Sequence, residues 1–156
     1  MVKDINQVKD RKQFFQVSLS IIKLDRMSFH IIAHAMINDI PVNLVIDTGA
    51  SRSVFSREYL QEHLILKINE GDEIHSAGIS AEKIKVKMAT AATFAIGLLM
   101  LTEFPVMLIN LKKINKLYNR VAGMSIHGLL GSDFLMEMNA VIDFGKSVMI
   151  LKPEKN

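Results

Sequence analysis

The chain has no cysteine and no tryptophan in 156 residues, and only three prolines, eight glycines and two tyrosines. Without cysteine there can be no disulfide framework, thiolate zinc centre or cysteine nucleophile, so stability has to come from a packed core. Long apolar runs are missing too. The longest, Phe94 to Leu101, spans eight residues and contains Gly97, well short of the ~20 a bilayer-crossing helix needs, so no membrane association is expected. Charge is sparse and nearly balanced: 22% of residues are charged, with a formal net charge of +3. Neither clustered arginines nor interleaved aromatics accompany the lysine surplus, which gives no case for nucleic acid. Met1-Val2-Lys3-Asp4-Ile5-Asn6 is charged where a secretion leader is apolar, so a cytoplasmic location is expected.

What is present describes one globular domain. Hydrophobic residues make up 49% of the chain, enough for a real core at a length too short for two domains. Residues 1–13 are charged and weakly patterned and read as a flexible extension; residues 14–156 read as the domain. Phe15, Val17, Leu19 and Ile21 alternate with polar neighbours, as do Phe29, Ile31, Ala33 and Ala35, which predicts half-buried strands. Asn38-Asp39 is a turn leading into a strand that ends at Ile46. Further strands are expected at 53–56, around Ile84, Val86 and Met88, at 93–100, at 104–109 and in a closing hairpin turning at Phe144-Gly145-Lys146. Ser56 is a candidate cap for a helix to about His63 that buries Leu60 and Leu64. Leu111, Ile114, Leu117, Tyr118 and Val121 switch to helical spacing, with Asn110 as cap and Lys112, Lys113, Lys116 and Arg120 facing water. The ten methionines read as adaptable core filler.

Two motifs carry chemistry. Val42, Leu44, Val45 and Ile46 deliver Asp47 into a turn of small residues, Thr48-Gly49-Ala50-Ser51, where other backbone can approach the carboxylate closely. Downstream, Leu129-Leu130-Gly131 reads as a strand breaking at glycine and entering a short helix at Ser132-Asp133-Phe134-Leu135, followed by Val141-Ile142-Asp143-Phe144. Together, in this order, they resemble the paired signature of retropepsin-like aspartic proteases, including the Gly-x-Asp-Phe-Leu continuation of bacterial members; the resemblance spans roughly residues 27 to 151.

The resemblance implies a mainly β fold, a closed acid-protease β-barrel with one or two short helices, working as a homodimer. The Asp-Thr-Gly element occurs once, and one carboxyl group cannot perform the general acid and base roles of peptide hydrolysis alone. The second must then come from another copy across a two-fold axis. Asp47, Thr48 and Gly49 are the candidate catalytic residues: Asp47 as acid/base, Thr48 bonding the partner's loop, and Gly49 offering its N–H to the opposing carboxylate. Ala50 stands where pepsin-like enzymes have a serine, so activity is expected to be less confined to acid. Ala50, Leu129, Leu130 and Gly131 are candidate substrate-side residues. Ser76, Ala77, Gly78 and Ile79 are candidates for the tip of a flap over an extended peptide substrate. No cofactor or metal is expected, although His30 and His34 share one strand face; His127 is the histidine nearest the triplet, and Asp133 and Asp143 read as helix-start and hairpin residues. The alternative reading is the same fold without catalysis, as a dimerisation or peptide-binding module. A phosphate-loop reading of the Asp47 turn would need two domains, more than 156 residues comfortably supply.

Overall fold

The computed structural model describes residues 13–63, 67–68 and 86–154. In chain order its elements are β1 (Phe15–Lys23), β2 (Phe29–Ile37), β3 (Ile40–Ile46), β4 (Val54–Ser56), α1 (Arg57–His63), β5 (Lys67–Ile68), β6 (Lys87–Ile96), β7 (Leu99–Ile109), α2 (Lys112–Ala122), β8 (Gly128–Leu130), α3 (Ser132–Glu137), β9 (Val141–Asp143) and β10 (Val148–Leu151). The expected flap tip at Ser76, Ala77, Gly78 and Ile79 lies outside the described residues, as do Leu64, Ile84 and all of the expected 1–13 extension except Gln13.

Strands β6, β7, β4, β8, β3 and β2 follow one another in hydrogen-bonded order, and β2 pairs back onto β6, so six strands close a barrel. Closure removes the open edges that would otherwise invite pairing with other chains. Strand β1 serves two sheets: its second half pairs with β2, while Phe15 to Ser18 pairs with β10, which in turn pairs with β9. The β2–β3 hairpin turns on Asn38 and Asp39, both at positive φ (47° and 67°), the backbone that a two-residue hairpin requires and that these short polar side chains tolerate. Asn38 also accepts the Thr93 N–H through Oδ1 at 2.9 Å and donates its own N–H to the Thr93 carbonyl at 3.0 Å, which ties the turn to β6.

The period-2 pattern of β2 and β3 separates two packing faces. Ile31, Ala33, Ala35, Ile37, Val42, Leu44 and Ile46 point into the barrel core, where Phe55, Phe94, Phe104 and Phe134 also meet. Ile32 and Val45 point outward and are nevertheless buried, because Tyr118 of α2 and Ile126 cover them. That outer cover is why β2 and β3 are buried on both faces in the stretch leading to Asp47.

Three sequence expectations are corrected. The strand expected at 93–100 is interrupted: Gly97 and Leu98 form the turn between β6 and β7, with Ile96 paired to Leu99. Gly97 sits at φ +57°, and a Cβ there would lie 2.8 Å from the Gln16 carbonyl oxygen, so both conformation and close approach call for glycine. Helix α2 does not bury the stripe Ile114, Leu117 and Val121, which stays exposed. Its inner line is Leu111, Asn115, Tyr118 and Ala122, because the Asn115 side chain donates to the Ile126 carbonyl at 2.9 Å and accepts the Ile126 N–H at 2.8 Å. The methionines are not uniformly core filler: Met138 and Met149 are buried, whereas Met27, Met100 and Met136 are exposed.

Other local expectations hold, save for the cap of α2. Ser56 Oγ accepts the Tyr59 N–H at 3.4 Å at the start of α1, and Leu60 is buried. The cap of α2 lies one residue later than the expected Asn110: Leu111 is the N-cap residue, and Asn110 Oδ1 accepts the Lys112 N–H at 2.9 Å from the position before it. Asp143 Oδ1 accepts the Lys146 N–H at 2.9 Å in the closing hairpin.

Candidate active site

Asp47 is the first residue after β3, half-buried, with Thr48 and Gly49 exposed beyond it. Its carboxylate is not left to rotate freely. Oδ1 accepts the Gly49 N–H at 3.0 Å and the Ala50 N–H at 3.2 Å, folding the loop back around the side chain. A Cβ at Gly49 would stand 3.3 Å from that oxygen, tighter than ordinary contact, so the missing side chain keeps the carboxylate approachable. The Gly49 N–H expected to face an opposing carboxylate is, within one chain, given to Asp47 itself.

The downstream triplet is threaded beside this loop. Strand β8 runs parallel to β3, with Val45 opposite Leu129 and Ile46 opposite Leu130, and antiparallel to β4, with Val54 opposite Leu129. The Asp47 N–H donates to the Leu130 carbonyl at 3.0 Å, and the Ser132 N–H donates to the Ala50 carbonyl at 2.8 Å, so the chain clasps both ends of the Asp47 loop. Leu130 is fully buried, and Leu129 packs on the outer cluster beneath Tyr118. Glycine is required at two points of the thread. A Cβ at Gly131 would stand 2.7 Å from the Ala50 carbonyl oxygen, and one at Gly128 would stand 2.6 Å from that of Val54.

Two residues that sequence reasoning gave no site role hold this arrangement. Ser53 donates its hydroxyl to Asp133 Oδ1 at 2.7 Å and accepts the Gly131 N–H at 2.9 Å, while its own N–H reaches both Asp133 oxygens at 2.9 Å. Asp133 also accepts the Phe134 N–H at 2.8 Å, which fits its expected place at a helix start, but its larger role is to fasten the segment after Ala50 to α3. The signal was legible in part: a small hydroxyl residue just past the Asp47 loop and an acid just past Gly131. Their pairing across the fold was not.

His30, His34 and His127 find protein partners. His34 Nδ1 meets Asn43 Oδ1 at 2.9 Å and its Nε2 meets Ser20 Oγ at 3.0 Å. His127 Nδ1 accepts the Asn43 N–H at 2.9 Å, which requires that nitrogen to be unprotonated, and the ring stacks on Tyr59 with centroids 3.8 Å apart. His30 Nδ1 and the Tyr118 hydroxyl share a hydrogen bond, and burial followed by the nearby Asp47 charge pushes the Tyr118 phenol above its usual range. Among the described residues no group of three or more His, Asp or Glu side chains is arranged to hold a metal ion, and no helix is long and apolar enough to cross a membrane.

The fold has counterparts among solved structures. A retropepsin-like aspartic protease from Rickettsia conorii superimposes with a TM-score of 0.50 at 20% identity, over 86% of this chain and 91% of that one. The EIAV protease, solved with the inhibitor HBY-793, gives a TM-score of 0.52 at 15% identity, over 79% of this chain and all (100%) of that one. The retroviral protease-like domain of Ddi1 from Leishmania major matches with a TM-score of 0.47 at 13% identity, over 72% of this chain and 80% of that one. Among curated proteins there is no significant sequence match. A profile of the family described as aspartyl protease matches residues 33–134, which include both the Asp47 loop and the Leu129-Leu130-Gly131 thread. The chain belongs to the aspartyl protease family and has the retropepsin-like fold.

Proposed function

We propose that the protein is an aspartic endopeptidase whose single active site forms between two copies of the chain, each contributing Asp47. The observation that carries this reading is the fixed yet open Asp47 carboxylate: one oxygen is held by the Gly49 and Ala50 N–H groups at the end of a buried strand, and the residues beyond it are exposed. A homodimer would bring two such carboxyl groups together with one proton between them. The ionised one takes a proton from a bound water as that water attacks the peptide carbonyl carbon, and the protonated one gives its proton to the carbonyl oxygen. Collapse of the tetrahedral species then returns a proton to the leaving nitrogen and breaks the C–N bond.

In this scheme Thr48 bonds the opposing loop, and Gly49 and Ala50 keep the approach to the carboxylates open. Leu129, Leu130 and Gly131 back the loop and exclude water behind it. Ser76, Ala77, Gly78 and Ile79 close over the extended peptide. Molecular mass by light scattering and cleavage of a diverse peptide pool test the proposal together. A dimer that cuts peptides, is blocked by pepstatin and loses cleavage in Asp47→Asn is the expected result. Peptide binding without cleavage would assign the fold to a binding module, and cleavage that persists in Asp47→Asn would remove Asp47 from the chemistry.

A further inference from the structure

Side chains alternate along β3, so Val45 and Asp47 project from the same side of the sheet, and Leu129, the partner of Val45 on β8, projects there too. On an open sheet this apolar floor would receive the substrate side chain next to the cleaved bond. Here the floor is roofed over. Helix α2, inserted between β7 and β8, lays the Tyr118 ring on Ile32 and Val45, and together with Ile126 these residues are only 0 to 5% exposed. The roof is fastened at several points: Tyr118 shares a hydrogen bond with His30 Nδ1, Asn115 takes both backbone groups of Ile126 at 2.8 and 2.9 Å, and Leu111 is fully buried where the helix begins. The Asp47 charge also reaches the Tyr118 phenol, as it should under a roof that extends to the carboxylate. Leu129 stays half-buried.

We infer that Tyr118 is a specificity-determining residue: its ring fills the space beside Asp47 that an aromatic side chain of the substrate would otherwise take, so the protein accepts peptides with short aliphatic residues at the cleaved bond and rejects aromatic ones. The inference rests on the proposed endopeptidase reading and names a substrate class for it. An aromatic side chain buries roughly 150–250 Å2, so a substrate ring entering here would have to expel an equal area and break the bond to His30. Nothing is gained by that exchange. A shorter aliphatic side chain needs no such displacement, because it can lie against the part of Leu129 that remains open. The two-fold axis of the proposed dimer copies the roof, and the residues on both sides of the cleaved bond therefore meet the same restriction.

The test compares kcat/KM of the full chain for two peptides that differ only in the residues flanking the cleaved bond, leucine in one and phenylalanine in the other. Wild type is expected to favour the leucine peptide by roughly tenfold or more, and Tyr118→Ala to shift the ratio toward phenylalanine by a similar factor, mainly through KM. Tyr118→Phe keeps the ring and is expected to keep the wild-type ratio. A structural role alone would lower both rates together, since the ratio of two substrates is blind to the folded fraction. Should Tyr118→Ala fail to fold, Tyr118→Leu opens part of the same space and is read in the same way. A second readout needs no cleavage: fluorescence anisotropy of the two labelled peptides on Asp47→Asn, with and without Tyr118→Ala, is expected to give the same preferences as affinities. Equal use of both peptides by wild type, or a ratio that the opened variant leaves in place, overturns the inference while Asp47-dependent cleavage leaves the protease reading standing. A chain that binds with the expected preference and cuts nothing overturns the protease reading and keeps Tyr118 in the peptide site; one that neither cuts nor binds overturns both.

Discussion

Ser53 and Asp133, eighty positions apart in sequence, are joined by three hydrogen bonds of 2.7 to 2.9 Å, and through Ser53 the bond continues to the Gly131 N–H. The segment leaving the Asp47 loop and the helix entered from Gly131 are therefore one polar unit, in which Ser53 is buried and Asp133 half-buried. Deleting one member strands the others, and the cost of an unsatisfied buried group is larger than the worth of an average hydrogen bond. Ser53→Ala is expected to lower unfolding free energy by about 1–3 kcal/mol in urea titration. It should also reduce cleavage more than that loss explains, because the Asp47 loop is released at its far end.

Gly131→Ala is expected to be far worse than its size suggests. The added methyl meets backbone at 2.7 and 2.8 Å, from Ala50 and Arg52, and backbone cannot move aside as a flexible side chain would. Thermal unfolding should show a loss of about 3 kcal/mol or failure to accumulate folded protein. Gly123→Ala is the control: nothing lies within 4 Å of that Cβ, and only the left-handed φ of +62° opposes it. A loss near 1 kcal/mol is expected there.

Phe134→Ala removes the ring that binds α3 to the barrel. Phe134 stands edge-on to Phe94 and Phe104, with centroids 5.7 and 6.4 Å away, and is almost fully buried. A loss of about 3–5 kcal/mol is expected in denaturant unfolding, and Phe134→Leu should recover much of it by keeping volume.

Tyr118 predicts an alkaline limit to stability. Its phenol is raised in the folded chain, by burial first and by Asp47 second, so the folded state holds this proton more tightly than the unfolded state does. The associated stability is complete below the unfolded tyrosine value near 10 and is lost as pH rises through the folded one. Tyr118→Phe should flatten this part of the curve of melting temperature against pH, whereas Tyr59→Phe should leave it in place.

Asp25 predicts the mirror case in acid. Its carboxyl is held below the usual range first by the Met27 N–H, then by the Ser28 hydroxyl and then by the Ser28 N–H, each 2.8 Å away. A depressed carboxylate contributes above its unfolded value and loses that contribution as pH falls through the folded one. Asp25→Asn should make stability less sensitive to pH below about 4 without altering cleavage near neutrality.

The barrel and the Asp47 loop were legible because both are written locally: alternating β2 and β3, an Asn-Asp turn, and an acid followed by small residues. The Gly97 turn was hidden because apolar residues flank it on both sides, and a two-residue reversal leaves no polar gap to notice. Helix α2 was readable as a helix but not in its rotation. Its inner line includes Asn115, which is chosen for two hydrogen bonds to the Ile126 backbone, and a search for apolar spacing passes over it. Ser53 with Asp133, and His30 with Tyr118, required a knowledge of which distant segments meet.

The insertion of β8 between β3 and β4 has a consequence for how the protein is made. Segments near residues 45 and 54 stand apart until a strand ending at Leu130 arrives to fill the gap, so every nascent chain emerges from synthesis with an open slot in its sheet. Such late, non-local pairing is slow and leaves sticky strand borders in the meantime. Truncation before Gly131 should therefore yield insoluble material rather than a smaller folded unit, and chaperone capture should be strongest before residues 128–130 emerge.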